Sequence, residues 1–297
     1  MKAKRPHTGE PVREVRQLQS RVFTSAGRKL LREVVRRSGP PIIILGAHRS
    51  GTSLVARMLR SAGVYMGRSL DANSEDVSFQ NLNRIVLNRW RAQWMRPPEP
   101  DRWDRLATSP ASLLAVVGNL QTLERSYFGP FGQQGLETPA PPLPLARTLS
   151  PALWSRLLIR LTKLRPVRPA DATPRAWGWK DPRNTLTLPV WKQLFPDARV
   201  IYVVRERGAA ARSLQKRCLE QGDGAPDCRD LERCLDLVDR YESFAIELRK
   251  RYRSDWSEVH YEEICAAPRS GASALLEASG MSGSEAVVTS MARIVRT

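Results

Sequence analysis

Apolar residues follow two rhythms along this chain. Unbroken runs, Ile42-Ile43-Ile44-Leu45 and Val200-Ile201-Tyr202-Val203-Val204, have the length of buried strands. Leu54, Val55, Met58 and Leu59 recur at helical spacing and stop at Gly63. Phe79, Leu82, Ile85, Val86 and Trp90 repeat that spacing, as do Leu231, Leu235, Val238, Tyr241, Ala245 and Leu248. Between these, residues 64–67 read as a short strand or turn, 176–180 as a strand, and 185–195 and 208–219 as helices. Residues 256–261 read as a last strand and 272–278 as a last helix. Strands alternating with helices predict an α/β fold of three layers, a central parallel sheet flanked by helices. Ligands of such sheets bind beyond the carboxyl ends of the strands.

Two stretches break the rhythm. Residues 1–40 are basic and polar, with Val15, Leu18, Val22, Leu30, Leu31, Val34 and Val35 set at amphipathic spacing. This arm reads as a helix packed on the domain edge or as one lying on an anionic membrane. Residues 41–297 read as the α/β domain, with a variable helical insertion or cap at about 96–174. Inside it, residues 129–150 carry glycine and then Pro-Ala-Pro-Pro-Leu-Pro, the chemistry of a linker or lid. Trp90, Trp94, Trp103 and Trp154 gather in this region, as faces for a sugar ring or an apolar chain, or as the packing of a helical cap.

Composition adds a charge argument. The 297 residues carry a formal net charge of +18, mostly from arginine. That excess suits nucleic acid, an anionic membrane or a polyanionic small ligand, and it also fits a solvated arginine-rich surface. The cysteines Cys218, Cys228, Cys234 and Cys265 form no CxxC pair, and His7, His48 and His260 complete no zinc spacing, so no metal site is expected. Without a secretory signal or a long apolar span, the chain reads as cytoplasmic, with reduced thiols preferred over a Cys218–Cys228 disulfide.

The chemistry centres on the loop after the first strand, Gly46-Ala47-His48-Arg49-Ser50-Gly51-Thr52-Ser53. Gly46 and Gly51 stand at P-loop spacing, so backbone N–H groups and the start of a helix can be aimed at one anion. Thr52, however, occupies the lysine position of a Walker loop, and the cation is Arg49. The strand that should supply a metal-binding aspartate ends in Arg205. An arginine there attracts phosphate and repels metal. Arg205 and Ser213, eight residues apart, suggest a second anion site. Two such sites suit a nucleotide with phosphates at both ends.

These residues resemble the sulfotransferases that use 3′-phosphoadenylyl sulfate, in particular bacterial members. Gly46 to Leu54 resembles their 5′-phosphosulfate loop. Trp179-Lys180-Asp181-Pro182-Arg183 with Phe195-Pro196-Asp197-Ala198-Arg199 is similar to their central block. Arg205 to Ser213 resembles the block holding the 3′-phosphate, and Tyr261-Glu262-Glu263-Ile264 with Pro268 the final block. Arg207 departs from the family's usual proline and either adds a phosphate contact or alters the helix entry.

The resemblance implies a P-loop-like fold and sulfuryl transfer to a hydroxyl acceptor by in-line displacement without metal. It implies 3′-phosphoadenylyl sulfate as co-substrate and adenosine 3′,5′-bisphosphate as product. Gly46, His48, Arg49, Ser50, Gly51, Thr52, Ser53, Arg205 and Ser213 would bind the donor; Arg49 and Lys180 would stabilise the transition state. Glu75, from the Glu-Asp pair ahead of Leu82-Asn83, is the first choice as general base, with His48 and Asp76 as rivals. A glycan or glycolipid hydroxyl is favoured as acceptor by family analogy, a lipid or small molecule remaining open. No specific nucleic acid is expected as a partner. Two other readings stay open: a nucleotide-kinase-like phosphotransferase, weakened by the missing lysine, and a non-enzymatic basic module binding nucleic acid or membrane.

Overall fold

The computed structural model describes residues 39–67, 69–117, 176–221 and 226–296. Residues 1–38 of the N-terminal arm, Trp154 and the 129–150 linker lie outside the described residues.

Among the described residues five parallel strands form one sheet. They are β1 (Ile42–Gly46), β2 (Val64–Tyr65), β3 (Ala176–Lys180), β4 (Arg199–Val204) and β5 (Trp256–His260), in the order β2-β3-β1-β4-β5. The helices are α1 (Thr52–Ser61), α2 (Val77–Arg89), α3 (Pro100–Ala107), α4 (Pro110–Val117), α5 (Asn184–Leu194), α6 (Arg207–Gln221), α7 (Leu231–Arg251), α8 (Tyr261–Ala266), α9 (Pro268–Ala278) and α10 (Glu285–Arg293). β1 is buried throughout, as an apolar run in a sheet covered on both faces must be. Its alternation sorts the layers. Ile43 and Leu45 pack with residues of α2, α5, α6 and α7. Ile42 and Ile44 pack with α1, α8, α9 and α10.

The register places the site. β1 lies between β3 and β4, with Ile44 opposite Lys180 on one side and Gly46 opposite Val203 on the other. Three strand ends therefore deliver the loop after Gly46, the Lys180–Arg183 segment and Arg205 to one edge.

Several expectations change here. Trp90 and Trp103 are core residues, with indole N–H groups donating to Ser112 Oγ (2.6 Å) and the Leu186 carbonyl (2.7 Å). Sugar-facing tryptophans would stand open; these fill the space under α3 and α4. The helical character expected from about residue 96 is met in α3, where Pro100 sits in the first turn and its missing N–H costs nothing. The preference for reduced thiols is also overturned: Cys218 and Cys228 form a disulfide, their Cα atoms 5.9 Å apart. The turn after α6 folds back and brings the two side chains together, which a spacing of ten residues in sequence does not disclose. Cys234 is buried beside them, its thiol donating to the Cys228 carbonyl.

Candidate active site

The loop after β1 is shaped by close approach. A Cβ on Gly46 would come within 2.7 Å of the Val203 carbonyl, and one on Gly51 would run into the Tyr261 ring. Gly51 also has φ 98°, which only glycine adopts freely, and it caps α1 without a side-chain bond. Arg49 itself is held at φ 68°, a costly conformation for a residue with a side chain. Thr185 on α5 fastens the start of the loop: its Oγ1 accepts from Gly46 N (3.2 Å) and donates to the Gly46 carbonyl (3.3 Å). Ser50 N is used within the loop, on the Ala47 carbonyl. Among the described residues the N–H groups of Arg49, Gly51, Thr52 and Ser53 make no hydrogen bond. The Ser50 hydroxyl and His48 Nε2 are likewise buried without a partner among the described residues. Several donors with no protein acceptor, at a helix start, fit an anion.

The guanidiniums gather beside this loop. Arg49 Nε donates to Ser213 Oγ on α6 (3.2 Å), and Arg205 Nη1 donates to the Arg49 carbonyl (2.9 Å). Arg205 also lies over the Tyr261 ring, 4.5 Å from its centroid. Burial, then the charges of Arg217 and Arg205, push the Arg49 guanidinium below its ordinary value. Arg49 thus links Arg205 and Ser213, bonding one through its carbonyl and the other through its guanidinium. Sequence reading missed Arg217, although it stands one helical turn beyond Ser213, and it gave no role to Tyr261. Arg207 does not join: it turns to α7 and bonds both oxygens of Asp239.

A second cluster lies on the β3 side. Glu75 accepts from Lys180 Nζ (3.1 Å), Arg183 Nη1 (3.1 Å) and Gln80 Nε2 (2.9 Å). Arg183 also bonds Asp181 (2.9 Å), and all four charged groups are buried. The Asp71–Asp76 loop presents Glu75 there. Asp71 Oδ1 accepts from the N–H groups of Asn73 and Glu75, and Ser53 Oγ ties the Asn73 carbonyl to α1 at 2.7 Å. Burial pushes the Glu75 carboxyl up, but Lys180, Gln80 and Arg183 outweigh it and bring it down to about 2. Burial pushes Lys180 down, with Glu75 opposing. Burial dominates at Asp181 and raises it to about 6.

The rival bases are placed differently. Asp76 caps α2, accepting from Ser78 N (2.9 Å) and Phe79 N (3.3 Å), so its carboxylate is engaged as a helix cap. His48 is buried against Trp94, ring centroids 4.2 Å apart, and Tyr241, 5.6 Å. Burial, then the Arg183 charge, push its imidazole well below the ordinary value, so it is neutral at pH 7. Among the described residues no group of His, Cys, Asp and Glu is arranged to hold a metal, and no helix is long and apolar enough to cross a membrane.

A family model described as "Sulfotransferase family" matches residues 40–285. No curated protein matches the chain. Among solved structures, the chain is similar to the sulfotransferase domain of the Synechococcus PCC 7002 olefin synthase, at 17% identity and TM-score 0.43, over 84% of this chain and 76% of that one. It is also similar to a sulfotransferase from Alicyclobacillus acidocaldarius, at 14% identity and TM-score 0.45, over 82% of this chain and 81% of that one.

Proposed function

Because this chain belongs to the sulfotransferase family, we propose that it moves the sulfuryl group of 3′-phosphoadenylyl sulfate to a hydroxyl acceptor. The observation that carries the donor assignment is the Arg49–Ser213–Arg205 cluster beside the loop of unpartnered N–H groups. A single phosphate would need the loop alone. The added cation Arg205 and the Ser213 hydroxyl beside the loop suit a nucleotide that is also phosphorylated at its 3′ end.

In this reading the acceptor oxygen attacks sulfur while the S–O bond to the 5′-phosphate breaks, and the bisphosphate leaves with that electron pair. Gly46, His48, Arg49, Ser50, Gly51, Thr52 and Ser53 surround the 5′-phosphosulfate; Arg205 and Ser213 take the 3′-phosphate. Positioning and charge stabilisation supply most of the rate. Glu75 takes the acceptor's proton. Held by Lys180 and Arg183 it is a weak base, at about 2. Lys180 turning to the sulfuryl oxygens would remove one of those cations and raise the carboxylate's basicity where the proton is released. His48 is the second reading for the base, supported by its neutral imidazole and unpartnered Nε2.

The acceptor is a carbohydrate or glycolipid hydroxyl in this reading. Trp94, half-buried against His48, offers a ring face beside the loop in this reading. A cytoplasmic setting, with the arm at residues 1–40 touching an anionic membrane, completes it. That setting requires the Cys218–Cys228 bond to survive a reducing pool, which is uncommon there.

Incubation with donor labelled in its sulfate, against a panel of hydroxyl acceptors, tests the reaction. Label should appear in an acceptor without added metal, and Glu75→Gln should lose transfer while still binding the bisphosphate. Metal-dependent transfer from ATP, with none from the sulfate donor, would overturn the proposal.

A further inference from the structure

Ser213 and Arg217 are four residues apart on α6, so their side chains share one face of the helix. The 3.2 Å bond from Arg49 to Ser213 brings that face against the loop. The Arg217 charge lowers both Arg49 and His48, in keeping with that placement. Three guanidiniums, Arg49, Arg205 and Arg217, therefore converge on one rim of the loop. Neither Arg49 nor Arg205 has an ion-pair partner among the described residues. Arg49 and Arg205, gathered this way, repel until an anion carrying more than one charge lies between them.

We propose that Arg217 is a further ligand of the donor's 3′-phosphate, and so a determinant of selectivity for a 3′-phosphorylated nucleotide. This rests on the donor reading given above. A phosphate monoester carries nearly two charges near neutral pH and offers three acceptor oxygens. Arg205, the Ser213 hydroxyl and Arg217 then present three donors from two elements, the end of β4 and one face of α6. A guanidinium suits the place better than an ammonium because its planar fork can bond two phosphate oxygens together.

Calorimetric titration of the full chain with adenosine 3′,5′-bisphosphate and with adenosine 5′-monophosphate, at one fixed salt concentration, is the test. Arg217→Ala should weaken the bisphosphate about 10- to 100-fold and the monophosphate less than about 2-fold. Arg217→Lys should restore part of the loss, since charge returns without the fork. Unchanged monophosphate binding shows that the variant is folded. Bisphosphate affinity in Arg217→Ala equal to wild type overturns the proposal, and so does an equal loss for both nucleotides, which would put Arg217 at the 5′ end. A wild-type chain that binds neither nucleotide overturns the donor reading itself; wild-type binding that Arg217→Ala reproduces overturns this proposal alone.

Discussion

The two charged clusters flanking the loop after β1 are built on opposite principles. On the β3 side, Lys180 and Arg183 face Glu75 and Asp181 in a buried, self-neutralised network in which each cation has a carboxylate within 3.1 Å. On the β4 side, Arg49 and Arg205 face a hydroxyl, a carbonyl and an aromatic ring, with no ion pair among the described residues. Buried charges must be matched, because desolvation penalises any left alone. Half-exposed arginines tolerate being unmatched, since water screens them. The difference separates tasks within one edge of the sheet. The matched cluster is satisfied within the protein, whereas in the proposed reading the unmatched one is completed by an anion.

Substitutions should therefore act differently on the two sides. Glu75→Gln is the severest. It should lower turnover about 10²- to 10⁴-fold if the carboxylate takes the proton. It should also cost about 3 kcal/mol of stability, because Lys180 and Arg183 lose a buried partner. Stopped assays and denaturant melts read the two effects. Near-normal turnover with lost stability would leave Glu75 as an anchor and move the base to His48. Arg49→Ala should lower turnover about 10²- to 10³-fold, yet leave the unliganded thermal midpoint unchanged or raised, because it removes a repelled charge. A large drop in that midpoint would erase the distinction between the clusters.

Acid should find the matched cluster as well. Glu75 is depressed from 4.5 to about 2. Its contribution, about 3 kcal/mol, is present above pH 4.5 and lost as pH falls through 2. Asp181, raised from 3.8 to about 6, runs the other way: the stability it lends is full below pH 3.8 and lost as pH rises through 6. Melts of wild type and Glu75→Gln from pH 2 to 5 should diverge above pH 4 and converge towards pH 2. The smallest effect belongs to the disulfide. Replacing Cys218 and Cys228 by serine opens a loop of ten residues and should cost about 2–3 kcal/mol, seen as a lower thermal midpoint with bisphosphate affinity unchanged.

Much of this architecture was legible in the residues. The apolar runs at β1 and β4 and the 3.6-residue rhythm of α1, α2 and α7 arose from burial that covers whole elements, so pattern alone located them. The short helices α8 and α10 were not anticipated. They bury only a few side chains each, Ile264 in one and Val288, Met291 and Ala292 in the other, too few to set a period. At the site, the loop was visible because close backbone approach demands glycines at fixed spacing, and Arg205 because it closes an apolar strand. The union of Glu75 with Lys180 and Arg183, more than one hundred residues away, depends on strand order and has no local signature. Asp76 shows the converse. An acidic residue just ahead of a helical rhythm offers N-cap chemistry, and its carboxylate accepts from the first N–H groups of α2.

The direct test of the unmatched cluster is calorimetric titration of the wild-type chain with adenosine 3′,5′-bisphosphate in the presence of a chelator, set against ATP with Mg²⁺. The account predicts tight binding of the bisphosphate without metal, and weak or no binding of Mg-ATP. Binding of Mg-ATP with indifference to the bisphosphate would contradict it.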